Sequence, residues 1–176
     1  MGFRHILEGY DHLLFLAGLI LATKHWKSLL SIISAFTVAH STTLVLSALG
    51  IIALQPALTE TLIAASIAYV GIENVVRKKL DYRWAIAGGF GLIHGAGFSG
   101  HLVGILRQTL DAGSIWYPLA GFNLGIEAGQ FFVICLALPL LWALRKNKSE
   151  VFISRRLSQA IAAVGILLVI LRVGQI

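Results

Sequence analysis

Long apolar runs separated by short polar clusters set the pattern of this chain. The first run extends from Phe3 to Thr23, and the second from Ser28 to Ala53, ending before Gln55-Pro56. The third covers Ala57 to Val76, the fourth Trp84 to Leu106, the fifth Ile115 to Leu144 and the sixth Leu157 to Val173. A helix crosses a bilayer with roughly 20 predominantly apolar residues, so each run predicts one span. The fifth is about 30 residues long and must tilt or extend past the bilayer. The expected fold class is all-α: a polytopic bundle of six transmembrane helices.

Composition agrees. The chain has 176 residues, 57% hydrophobic and 12% charged, where a soluble domain carries about 25% charged residues. Six spans use most of the length, so residues 1–176 are expected to form a single transmembrane domain with the lipid bilayer as partner. The net charge of +6 is spread over short inter-span clusters and does not point to nucleic acid. Cys135 is the only cysteine, which excludes an internal disulfide and argues against a thiolate metal site. It is expected to be a small core residue. Ionisable residues interrupt the first run, so it reads as a span rather than a signal peptide.

The clusters also carry an orientation. Lys24, Lys27, Arg77, Lys78, Lys79, Arg83, Arg145, Lys146, Lys148, Arg155 and Arg156 fall in the first, third and fifth loops. The opposite side has only Arg4, Arg107 and Arg172. The positive-inside rule places the first set in the cytoplasm and both termini on the extracytoplasmic side. Trp26, Tyr82, Trp84, Trp116 and Tyr117 stand near span ends as interfacial anchors.

Five of the runs contain residues that apolar spans avoid. An ionisable side chain inside a span costs at least about 2.5–3.5 kcal/mol. The first run carries His5, Glu8, Asp11 and His12; the second His40, with Thr37, Ser41, Thr42 and Thr43 close by. The third carries Ser66, Glu73 and Asn74, the fourth His94 and His101, the fifth Asn123, Glu127 and Gln130. His5, Glu8 and His12 share one helix face by spacing, as do Asn123, Glu127 and Gln130. At about 1.5 Å of rise per residue, most of these groups reach the middle of a hydrocarbon core about 30 Å thick. The sixth run reads as a packing helix. Gly91 and Gly95, Gly100 and Gly104, and Gly121, Gly125 and Gly129 have the spacing that lets membrane helices approach closely, within a chain or in a homo-oligomer.

Imidazole and carboxylate together suit borderline divalent cations such as nickel, cobalt and zinc. The candidate ligands are His5, Asp11, His12, His40, Glu73, His94 and Glu127, with Ser41, Asn74, Asn123, Gln130 and Thr37 orienting them. Blander roles compete for several residues. His25 lies between lysines in a loop, Glu8 and Glu60 can face the outer water, and Ser66 reads as packing.

At His5-Ile-Leu-Glu-Gly-Tyr-Asp11-His12 the chain resembles the HupE/UreJ family, and looks most like its second branch. Further blocks carry the resemblance across nearly the whole length: Gly9 to Phe15, Phe36 to Leu44, Glu73-Asn74, Phe90 to Gly95 and Phe122 to Gln130. It implies a small membrane protein of a bacterial-type inner (plasma) membrane, associated with nickel supply. The family's His-x5-Asp-His element is implicated in nickel transport, which carries over to His5, Asp11 and His12. Ile93-His94-Gly95 matches the first half of a second element. The second half has no counterpart, because no Glu follows the stretch Gly97 to His101. The cation then stays open among nickel, cobalt and zinc.

Two functions of different class fit these residues. One is a permease for a divalent transition metal, with no phosphate-binding Gly-x4-Gly-Lys-Ser/Thr motif and so no sign of direct ATP use. The other is an intramembrane zinc-dependent hydrolase acting on a lipid-like substrate, with Glu73 or Glu127 as general base. A metal sensor or a scaffold is a third reading, and the short loops speak against docking of large partners.

Overall fold

In lipid, a helix satisfies its backbone hydrogen bonds internally, and most of the described residues adopt that solution. The computed structural model describes residues 1–23, 25–76, 82–97, 116–145 and 150–174. Within them lie seven α-helices and no strand. They are α1 (Gly2–Glu8), α2 (Tyr10–Ala22), α3 (Trp26–Ala48), α4 (Pro56–Val76), α5 (Arg83–Gly97), α6 (Trp116–Arg145) and α7 (Glu150–Val173). The expected first span is therefore two helices, bent by 77° at Gly9. The last helix starts earlier than the apolar run, at Glu150. The part of the fourth run beyond Gly97, with His101, lies outside the described residues.

Among the described residues, three helical stretches, Trp26–Ser47, Tyr117–Ala143 and Glu150–Val173, are long and apolar enough to cross a membrane. The bent α1/α2 pair makes a fourth when taken as one span. The expectation of six goes beyond this count: α4 carries Glu60, Glu73 and Asn74, and α5 has 15 described residues.

Large apolar side chains face outward, and several polar ones lie inside beside an apolar core. Val38, Leu124, Phe131, Leu136, Leu140, Leu167 and Ile170 are exposed, while Thr37, His40, Ser66, Glu73, His94 and Gln130 are buried. Trp26, Tyr82, Trp84 and Tyr117 are exposed, as interfacial anchors require. Cys135 is exposed on α6, not packed in the core, because it shares the outward face with Leu136.

Phe15, Leu19, Ile32, Phe36, Ile63, Ile67, Val70, Ala87 and Ile161 form the central cluster, drawn from α2, α3, α4, α5 and α7. A second cluster joins Ile6 of α1 and Leu44 of α3 to Leu119, Phe122 and Ile126 of α6. Glycine sets the closest approaches. A Cβ on Gly91 would strike the Phe36 carbonyl, and one on Gly95 the His40 carbonyl, so α5 lies directly on α3. Gly71 and Gly165 do the same for α4 and α7. Gly125 and Gly129 face α1. Gly91, Gly95, Gly125 and Gly129 are thus used inside the chain, whereas a Cβ on Gly121 would meet nothing within 4 Å.

Candidate metal centre

The bend at Gly9 turns α1 by 77° from α2 and lays it against α6. The Gly9 amide donates to the His5 carbonyl at 3.0 Å, and the Gly9 carbonyl accepts from Leu13 at 3.1 Å, so both polar groups of Gly9 stay bonded through the turn. A Cβ on Gly9 would lie 2.7 Å from His12 Nδ1 and 2.8 Å from the His5 carbonyl oxygen. Across this bend the His5 and His12 rings stand 4.6 Å apart, centre to centre.

Two further histidines join them. His40 projects from α3 with its ring 6.0 Å from His12 and 6.4 Å from His5. His94 projects from α5 with its ring 5.3 Å from His12. The approach of Gly95 to the His40 backbone places these two helices for it. His12 is the hub of the cluster. The walls are aromatic: Phe15 and Phe36 lie 4.8 Å and 5.2 Å from His94, and Phe122 lies 5.6 Å from His5. His40 is 0% exposed and His94 1%.

Both ring nitrogens of His12, both of His40 and Nδ1 of His94 are buried without a hydrogen-bond partner among the described residues. A buried polar atom left unpaired costs about 1–3 kcal/mol, so five in one place are donors of the kind a cation would satisfy. Ring spacing suits a shared cation. With metal–nitrogen bonds of about 2.0–2.1 Å, two imidazoles on one tetrahedral ion have centres roughly 5 Å apart. Yet among the described residues no group of three or more His, Cys, Asp or Glu is arranged to hold a metal ion as it stands. The rings have the separation but would have to turn to converge.

The carboxylates expected beside them are engaged elsewhere. Asp11 accepts from Arg172 Nη2 of α7 at 2.8 Å. Glu73 accepts from Tyr69 at 3.1 Å and lies 3.8 Å from Arg83 Nη2. Glu127 is exposed on α6, in a groove shared with Thr37, Ser41 and Thr42 of α3. The residues expected to orient ligands instead join helices. Ser41 donates to Asn123 Oδ1 at 2.9 Å, and Thr37 to Gln130 Oε1 at 2.7 Å. Asn74 donates to the Gly18 carbonyl at 2.8 Å and accepts from Arg83 at 3.1 Å.

Sequence reasoning assigned no role at the site to Arg172, Arg83 or Ser66. Ser66, read as packing, holds His94 Nε2 at 2.8 Å. The one available signal was its helical register with Glu73, seven residues on, which puts both on the buried face of α4.

A family model described as HupE / UreJ protein matches residues 1–174. No curated protein matches the chain, and no solved structure does.

Proposed function

The chain belongs to the HupE/UreJ family, and from that premise we propose that it is a membrane permease for a divalent transition metal of the nickel and cobalt class. The family is associated with nickel and cobalt transport and its members are membrane proteins. One observation carries the reading: four imidazoles from α1, α2, α3 and α5 gather in one cluster, two of them fully buried. The metal ion is the substrate. His5, His12, His40 and His94 would pass it from ring to ring, each neutral imidazole replacing a hydration water. Asp11 and Glu73 serve to anchor helices through their arginine partners.

The proposal includes six spans in a single domain of a bacterial-type inner membrane, with both ends extracytoplasmic. The Arg172–Asp11 contact supports a common side for them, because it joins the end of α7 to the start of α2. The hydrolase reading gains no support. Its candidate bases, Glu73 and Glu127, are respectively held by Tyr69 and Arg83 and turned outward.

The test is flux. Purified protein in liposomes should carry Ni²⁺ or Co²⁺ down a gradient, and His40→Ala should abolish the flux while remaining folded. Liposomes with the intact protein that carry neither ion would overturn the assignment.

A further inference from the structure

A hydroxyl has one proton to give, and Ser66 has two acceptors within reach. Its Oγ lies 2.7 Å from the Ile63 carbonyl oxygen one turn back on α4. It also lies 2.8 Å from Nε2 of His94 on α5. A carbonyl can only accept. Both contacts are therefore hydrogen bonds in one arrangement alone: Ser66 donates to Ile63, and His94 donates from Nε2–H to Ser66. The reverse arrangement would turn oxygen lone pairs on each other across 2.7 Å. It would also put the imidazole proton on Nδ1, which is buried and has no acceptor among the described residues.

We propose that Ser66 is a positioning residue that fixes His94 in the Nε2–H tautomer and so reserves its Nδ1 lone pair for the metal cation. This rests on reading the histidine cluster as the cation's site. Histidines that bind metals generally donate their other ring N–H to a fixed acceptor, which sets the tautomer and raises ligand basicity. Here the acceptor is a hydroxyl, itself anchored to a main-chain carbonyl. Ser66 and His94 are both 1% exposed, so no bulk water competes for either bond. His12 and His40 have no such partner among the described residues. His94 is accordingly the pre-set member of the cluster, and His12, whose ring is 5.3 Å away, has no such anchor among the described residues.

The experiment uses the whole protein in nanodiscs with ¹⁵N-labelled histidine, His94 being assigned by its loss in His94→Ala. Without metal, the wild-type His94 signals should report a protonated Nε2 and a bare Nδ1. Ser66→Ala should give mixed tautomers and weaken Co²⁺ binding about 10–100-fold; Ser66→Thr, which keeps the hydroxyl, should restore both. A wild-type His94 protonated at Nδ1, or a tautomer unchanged in Ser66→Ala, would overturn the role of Ser66 and leave the cation site standing. A wild-type protein that binds neither Co²⁺ nor Ni²⁺ would instead overturn the site itself, whatever the tautomer.

Discussion

Arg172 and Asp11 stand 161 residues apart in the chain, and their side chains meet at 2.8 Å. The same guanidinium donates to the Glu60 main-chain carbonyl at 3.0 Å, with Nε 3.9 Å from the Glu60 carboxylate. A single cation thus ties the end of α7 to the starts of α2 and α4. It also neutralises the acidic member of the His-x5-Asp-His element, leaving the neighbouring histidines as a set without their own carboxylate.

Removing either partner should therefore lower stability more than cation affinity. Arg172→Gln and Asp11→Asn should each cost about 1.5–3 kcal/mol, the usual worth of a hydrogen bond to a charged group. The double variant should cost less than the sum, because the two share one interaction. Thermal unfolding in detergent measures the cycle. Co²⁺ affinity of folded Asp11→Asn should stay within about tenfold of wild type, a loss of about 1.4 kcal/mol at most. A folded Asp11→Asn protein that no longer binds the ion would make the carboxylate a ligand.

The histidines should behave in the opposite way. His12 has both ring nitrogens buried and unpaired among the described residues, so it makes no hydrogen bond there for a substitution to break. His12→Ala should lower Co²⁺ affinity by more than about 100-fold, since loss of an outer partner alone costs 10–100-fold. The fold should be retained. Calorimetric titration of the detergent-purified variant reads the affinity.

How far the site could be read from sequence depended on the range of each interaction. His5 and His12 were recognisable by spacing on one helix face. They do meet, although the helix breaks between them at Gly9 with a 77° bend that the unbroken apolar run conceals. His40 and His94 stood out as imidazoles in apolar runs. The partners of Asp11 and Glu73 did not, because a pairing between helices leaves no periodic mark. Spacing along one helix says which residues share a face, but not which arginine on another helix has already claimed them. Gly91 and Gly95 announced their interface as a pair four residues apart. Gly71 and Gly165 pack as tightly, yet each is an isolated glycine whose partner is a backbone on another helix.

The bend itself should be sensitive. Gly9→Ala would bring a Cβ to 2.7 Å from His12 Nδ1 and 2.8 Å from the His5 carbonyl oxygen, closer than van der Waals contact allows. Both histidines must then shift, and Co²⁺ affinity should fall at least about tenfold, which is only 1.4 kcal/mol of lost fit. Gly89→Ala is the control: its Cβ meets nothing within 4 Å. It should leave affinity unchanged and stabilise by up to about 1 kcal/mol through helix propensity.

The α4/α7 contact should be sensitive to added volume. A Cβ on Gly71 would lie 2.5 Å from the Ala162 amide nitrogen, and one on Gly165 would strike the Ala68 amide. These neighbours are backbone, which cannot turn aside as a side chain can. In lipid there is no hydrophobic force pressing helices together, so close packing carries the association. Gly71→Leu and Gly165→Leu should each cost about 1–3 kcal/mol or more. They should also open a path for lipid between α4 and α7. Cysteine cross-linking of Ser66 or His94 would disturb the site, so the better probe is a pair on the outer face of these helices, such as Ile72→Cys with Ile166→Cys. Their cross-linking yield should drop in both glycine variants and persist in Gly89→Ala. Undiminished cross-linking in the leucine variants would mean that the close glycine contacts do not hold α7, leaving Ile161 in the central cluster and the Arg172 anchor to account for its place.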